Sequence, residues 1–200
     1  MTDHIRLRPT TGDEAQRYIP ELARLRITVF RDFPYLYDGD LSYEEKYLRT
    51  YVESPDSVIV VALDGERCVG ASTAVPLKHE TEEFKRPFVA AGYDPDDVFY
   101  LGESVLLSQY RGRGLGVRFF EEREAHARKV GDFAIMAFCA VERPEDHPMR
   151  PGGYQDLAQF WRNRGYTQHP ELRTTYKWRD VGEAEATDKP MVFWLKQSNQ

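Results

Sequence analysis

Two hundred residues, 41% of them hydrophobic, are enough for one well-buried domain and short for two, so residues 1–200 read as a single unit. With 27 lysines and arginines against 33 aspartates and glutamates the net charge is -6, which argues against a nucleic-acid-binding surface, suits a cationic partner and leaves room for a local basic pocket. Only two widely separated cysteines, Cys68 and Cys139, no secretory signal and no apolar run long enough to span a bilayer point to a reducing cytoplasm and to no membrane partner.

The chain opens with Ile5 to Arg8, where apolar and basic residues alternate up to Pro9, the pattern of a short strand. Thr10 to Asp13 offers a turn and a helix cap. From Ala15 onward Tyr18, Ile19, Leu22, Leu25 and Val29 recur at three- and four-residue spacing, which predicts a helix with one buried face that Pro20 either starts or kinks. Arg31 to Asp40 breaks the pattern with Pro34 and Gly39 yet keeps Phe33, Tyr35, Leu36 and Tyr37; these either line a site or plug the core. Ser42-Tyr-Glu-Glu45 has the form of a capping box, opening a helix to about Val52 that Pro55 closes.

Val58 to Leu63 and Cys68 to Val75 flank a turn containing Asp64-Gly65, which predicts a hairpin, its first strand apolar enough to be covered on both faces. Lys78 to Ala91 is a charged, helix-like insertion with Phe84 and Phe88 on one side, either a lid or a surface helix. Val98 to Leu107 reads as a strand, Leu115 to Val130 as a helix stopped by Gly131, and Phe133 to Val141 as another buried strand. A loop from Glu142 to Gly153, a helix from Gln155 to Arg164 ended by Gly165, and strands at 174–179 and 191–196 complete the chain.

Between the fourth strand and its helix lies Arg111-Gly-Arg-Gly-Leu-Gly116. A helix N-terminus leaves backbone N–H groups unpaired and carries partial positive charge, so glycines that admit a phosphate to the backbone make it an anion site. A Walker loop would need Gly-Lys-Ser/Thr, and none follows. A dinucleotide fingerprint would need Gly-x-Gly-x-x-Gly, whereas Gly112, Gly114 and Gly116 stand two apart and position 117 is valine.

Arg111-Gly-Arg-Gly-Leu-Gly116 resembles the Arg/Gln-x-x-Gly-x-Gly/Ala signature of the GNAT superfamily of N-acetyltransferases, and the order of elements is similar from end to end. The resemblance implies a mixed α/β fold with a mostly antiparallel sheet of about six or seven strands, flanked by helices and splayed at its two central strands. It implies acetyl-CoA as acyl donor, no metal, and transfer of the acetyl group to a primary amine in a ternary complex. Arg111, Gly112, Arg113, Gly114, Leu115 and Gly116 would cradle the pyrophosphate. Ser104, Val105 and Leu106 would pair with the pantetheine and polarise the thioester carbonyl. A binding module without catalysis, and a transferase for a longer acyl group, are alternatives on the same fold; a homodimer is left open.

Glu103 interrupts an uncharged strand and, by alternation, shares a face with Phe99, Leu101 and Val105, which makes it either the general base or one half of a buried salt bridge to an arginine. Many relatives carry a tyrosine four residues before the Gly-aromatic pair that is Gly165-Tyr166 here, and use it to protonate the thiolate. That place holds Trp161, whose indole cannot do so, leaving Tyr154 or water. Cys139, in an apolar strand with no histidine near in sequence, reads as core. The family builds its acceptor site from segments that are here Phe33 to Asp40, Lys78 to Asp97 and Glu142 to Gly153. Asp38, Asp40 and Glu142 could hold an ammonium and Tyr35 and Tyr37 could pack a small-molecule or peptide amine, or the acids are simply solvated.

Overall fold

A computed structural model describes residues 5–198. Strand β1 (Ile5–Thr10) runs through Pro9 at the sheet edge, where the missing N–H costs little. Helices α1 (Gly12–Gln16) and α2 (Ile19–Phe30) divide at Arg17-Tyr18, so Pro20 sits in the first turn of α2 and starts it instead of kinking one longer helix. Helix α3 (Leu41–Glu53) is capped two residues before the capping-box pattern: the Asp40 carboxylate accepts from the Tyr43 amide at 3.0 Å, so Ser42 lies inside the helix.

The remaining elements are β2 (Val58–Asp64), β3 (Arg67–Pro76), α4 (Glu82–Ala90), β4 (Val98–Leu106), α5 (Leu115–Val130), β5 (Ile135–Val141), α6 (Ala158–Arg162), β6 (Thr167–Trp178) and β7 (Thr187–Gln197). Seven strands form one sheet in the order β1-β2-β3-β4-β5-β7-β6, parallel only between β4 and β5. Strand β6 begins seven residues before the predicted start at Thr174, because a polar edge strand that contains Pro170 and an irregular register between His169 and Arg173 has no alternation to read.

The apolar run of β2 is explained by cover on both sides. Val58, Val60 and Ala62 pack towards Phe119, Phe120 and Ala127 of α5, while Ile59, Val61 and Leu63 pack towards Leu22 of α2 and Leu48 and Tyr51 of α3. The charged insertion is a helix packed on the sheet. Phe84 and Phe88 of α4 are buried with Tyr100, Ile135 and Phe193, and Thr174 of β6 donates its hydroxyl to the Glu83 carbonyl at 2.6 Å.

Two features of β4 shape everything near it. Its pairing with β5 ends after Tyr100 and Ala137, so the two strands diverge and leave the second half of β4 with a free edge. Its pairing with β3 slips: Ala74 faces Leu101 and Ser72 faces Ser104, so β4 spends three steps where β3 takes two. Because side chains alternate, that extra residue reverses the faces. Phe99 and Leu101 point to the α5 side, whereas Glu103 and Val105 point to the α2/α3 side, which corrects the single face expected from plain alternation.

The bulge is held from behind. Arg123 of α5, fully enclosed, donates from Nη1 to the carbonyls of Thr73 (3.3 Å) and Glu103 (3.2 Å), and from Nε to that of Phe119 (3.1 Å). The Glu103 amide donates to the Thr73 hydroxyl at 3.2 Å. Burial lowers Arg123 to about 10, which leaves it charged at neutral pH. Any side chain at Gly102 would collide with the Tyr51 hydroxyl and Thr73 Oγ1, so only glycine fits between them. Gly102→Ala is expected to cost roughly 1–3 kcal/mol of stability by overpacking, read as a lower urea midpoint at unchanged m-value.

Candidate active site

The divergence of β4 and β5 opens a cleft of about 1390 Å³ that runs from the glycine turn to α3, α4 and the loop after α2. At one end Gly112 and Gly114 both have φ of +77°, a conformation that side chains with a Cβ rarely adopt. Gly114 caps α5, its carbonyl accepting from the amides of Val117 (3.1 Å) and Arg118 (3.2 Å). Among the described residues, no acceptor meets the amides of Gly112, Gly114, Leu115 and Gly116. A Cβ added at Gly112 or Gly114 would meet nothing within 4 Å, so the backbone there faces open space, while one at Gly116 would press on Phe160 of α6 at 3.2 Å.

The two arginines of the turn part company. Arg111 lines the cleft, donating from Nε to the Leu106 carbonyl at 3.1 Å and standing 3.8 Å from Asp32. Arg113 donates to the Gln109 carbonyl at 2.9 Å, lies over the Tyr110 ring at 5.3 Å and is not part of the cleft wall. Ser104 and Leu106 also line the cleft, whereas Val105 is fully buried in the α2/α3 core, so only its backbone can face a ligand.

Glu103 reaches the cleft from the bulge and forms the ion pair held open as its second reading. Its Oε2 lies 2.7 Å from Arg26 Nη1, and Glu44 Oε2 takes the hydrogen bond from Arg26 Nε. Burial opposes the charge on Arg26, but Glu103 and Glu44 together outweigh it and raise the guanidinium well above its usual range. Glu44 is fully buried and Glu103 nearly so; the second oxygen of each, Oε1, is also buried and has no hydrogen-bond partner among the described residues. Arg26 and Glu44 escaped the sequence reading, although a signal was present. Leu22, Arg26 and Val29, like Glu44, Leu48 and Tyr51, fall on one helical face, so each charge stands within an apolar stripe.

Aromatic rings surround this triad. The Arg26 guanidinium lies 4.6 Å from the Tyr47 ring and 5.1 Å from that of Phe30. Burial, and then its hydroxyl's hydrogen bond to the Glu44 carboxylate, raise the Tyr37 phenol and hold it protonated. Tyr47 and Tyr51 hydroxyls meet at 3.1 Å, and Tyr51 donates to Glu80 at 2.7 Å. Across the cleft, Tyr43 of α3 and Tyr176 of β6 join their hydroxyls at 2.8 Å.

The loop from Arg31 to Asp40 both lines the site and plugs the core. Phe33, Tyr35 and Tyr37 face the cleft while Leu36 is buried at a φ of +54°. Arg143 fixes the loop: Nε donates to the Pro34 carbonyl at 2.8 Å, Nη2 to that of Tyr35 at 2.8 Å, and Nη1 pairs with Asp180 at 2.7 Å. Trp178 Nε1 donates to the Tyr35 carbonyl at 3.0 Å, and backbone bonds join Asp38 N to Arg179 O (2.9 Å) and Val181 N to Leu36 O (2.7 Å). The loop acids are already engaged: Asp38 with Arg179 (2.6 Å) and Arg31 (3.3 Å), Asp40 with the start of α3, and Glu142 with Arg173. Among the described residues, the cleft acids with a buried oxygen that lacks a hydrogen-bond partner are Glu44 and Glu103.

Tyr154 lies on the cleft wall against Phe33 (ring centroids 4.7 Å apart) with the Arg150 guanidinium 5.2 Å from its ring, and burial raises its phenol. Trp161 packs on Phe138 and Trp194, both at 5.0 Å, as part of the wall. Cys139 is buried 3.1 Å from the Tyr100 hydroxyl; burial pushes its thiol up to about 12, so it is a protonated core side chain. Among the described residues no helix is long and apolar enough to cross a membrane.

The acetyltransferase (GNAT) family model matches residues 22–151. No curated protein matches the chain in sequence. Among solved structures, the chain is similar to a ribosomal-protein-alanine N-acetyltransferase from Brucella melitensis (TM-score 0.61, 16% identity, 96% of this chain and 99% of that one). It is also similar to an acetyltransferase from Thermus thermophilus (TM-score 0.55, 16% identity, 97% of each chain). A GNAT family acetyltransferase from Elizabethkingia anophelis, solved with acetyl-CoA bound, aligns with TM-score 0.54 and 10% identity over 98% of this chain and 100% of that one. At these identities the likeness is one of fold.

Because Arg143 and Asp180 hold the loop that forms one wall of the cleft, Asp180→Asn is expected to speed exchange of the Asp38 and Val181 amides by roughly tenfold or more, measured by hydrogen–deuterium exchange. Exchange of the β2 amides should not change.

Proposed function

We infer that this chain, which belongs to the acetyltransferase (GNAT) family, moves an acetyl group from acetyl-CoA to a primary amine by direct transfer in a ternary complex. The observation that carries the reading is the glycine turn: unpaired amides of Gly112, Gly114, Leu115 and Gly116 gathered at the N-terminus of α5, beside the free edge of β4. Those N–H groups suit a pyrophosphate, with Arg111 at hand for charge and Arg113 serving to shape the turn. The pantetheine arm would enter the gap between β4 and β5 and take its hydrogen bonds from the backbone of Ser104, Val105 and Leu106.

Residue roles follow from position and chemistry. An ammonium gives one proton to Glu103, and the freed lone pair attacks the thioester carbon. The C–N bond forms, the C–S bond breaks, the departing thiolate takes a proton from Tyr154, the nitrogen passes its second proton through solvent to the Tyr154 phenolate, and Glu103 returns its proton to solvent. Tyr154 suits that task because burial keeps its phenol protonated. Arg26 keeps Glu103 in place, and the bulge aims it away from the α5 core.

Acetyl-CoA is expected to bind by calorimetry and to raise the melting temperature; absence of both would remove the proposal. Gly114→Val should weaken acetyl-CoA binding by roughly tenfold or more, because a β-branched residue cannot hold a φ of +77° and the amides would turn away. Glu103→Gln should lower kcat by about 10²-fold with acetyl-CoA affinity unchanged, since an amide cannot accept the proton. The deficit should shrink as pH rises and solution supplies neutral amine. Release of free thiol only when an amine is present separates transfer from mere binding.

A further inference from the structure

We propose, building on the acetyl-transfer reading, that the acceptor is a hydrophobic primary amine whose nitrogen has no carboxylate beside it, its ammonium seated on Glu44 and Glu103 and its body against the surrounding tyrosines. Three observations converge. The triad holds two carboxylates against one guanidinium, so one negative charge is uncompensated among its members. Each carboxylate has one buried oxygen that meets no hydrogen-bond donor in good geometry among the described residues, although the Tyr37 hydroxyl interacts with Glu44, and an N–H donor arriving from the cleft would relieve that costly state, most of all at Glu103. Tyr37, Tyr43, Tyr47 and Tyr176 border the same part of the cleft, a surface suited both to an ammonium and to an apolar or aromatic body.

The same geometry works against an amino acid. A carboxylate next to the nitrogen would enter beside Glu44 and Glu103, and the nearby cations are committed: Arg26 to those two acids, Arg143 to Asp180 and two carbonyls, Arg179 to Asp38. The remaining cations of the cleft wall on that side are Lys177 beside Tyr176, Arg162 over the Trp194 ring and Arg150 stacked on Tyr154, and an amino-acid acceptor would need to bring its carboxylate to one of them. Glu44 is thus a specificity-determining residue that the reaction itself does not require.

Phenethylamine and phenylalanine test this directly, because they share ring and nitrogen and differ by one carboxylate. With the full-length protein, calorimetry is expected to give phenethylamine a Kd lower than that of phenylalanine by roughly tenfold or more. Equal affinities, tighter binding of phenylalanine, or binding of neither would overturn the assignment, whatever other amine the protein turns over. Binding of phenethylamine without binding of acetyl-CoA would keep the amine site and remove the acetyl-transfer reading, so the two failures are distinguishable. Glu44→Gln, with its fold checked by circular dichroism, should raise the KM for phenethylamine about tenfold and leave that for acetyl-CoA unchanged. The wild-type comparison decides the matter even if that variant does not fold.

Discussion

One extra residue in β4 organises the centre of this molecule. Without the slip between Leu101 and Ser104, alternation would place Glu103 under α5 among phenylalanines, away from Arg26 and Glu44. With it, Glu103 crosses to the α2/α3 side and finds Arg26. A bulge disrupts backbone pairing, and the disruption is absorbed locally: Arg123 takes the two carbonyls it exposes, the Thr73 hydroxyl takes an amide, and Gly102 leaves room for Tyr51. A buried arginine serving carbonyls is an expensive device, and its position directly behind the site accounts for its presence.

The splay of β4 from β5 acts in concert with that bulge. Divergence after Tyr100 frees a backbone edge in the middle of a sheet, which elsewhere would be an unpaired liability and here faces a cleft. The cleft has two chemically different ends. One presents backbone N–H groups and Arg111, suited to anions; the other presents Glu44, Glu103 and a wall of tyrosines, suited to a cation. In the proposed reaction the phosphate-bearing donor and the ammonium-bearing acceptor would take opposite ends of the same space, with the free edge of β4 between them.

Much of this was legible residue by residue. The glycine turn, the apolar run of β2 and the capped, amphipathic helix α5 are local patterns whose physics is carried by a few neighbours, and they mark the fold and the anion end of the cleft. The third and fourth strands and the aromatic loop after α2 were also visible. Strand β6 was half hidden because an edge strand with Pro170 shows no alternation, and α4 reads as either a lid or a surface helix because its charge is local while the partners of Phe84 and Phe88 lie on distant strands. The cap of α3 was misplaced by two residues, since Asp40 and Ser42 are both good caps and only the entering backbone chooses between them.

The sequence by itself determined the glycine turn at the start of α5, because glycine conformation and helix polarity are properties of adjacent residues, and it singled out Glu103 because a charge in an apolar strand is conspicuous. Only the tertiary structure decided which face Glu103 occupies, that Arg26 and Glu44 join it, and that Asp38, Asp40 and Glu142 are committed elsewhere. The reason is physical. Strand register and ion pairing between segments are set by contacts between residues far apart in the chain, and one bulge reverses a face that period-two alternation alone would assign to the other side.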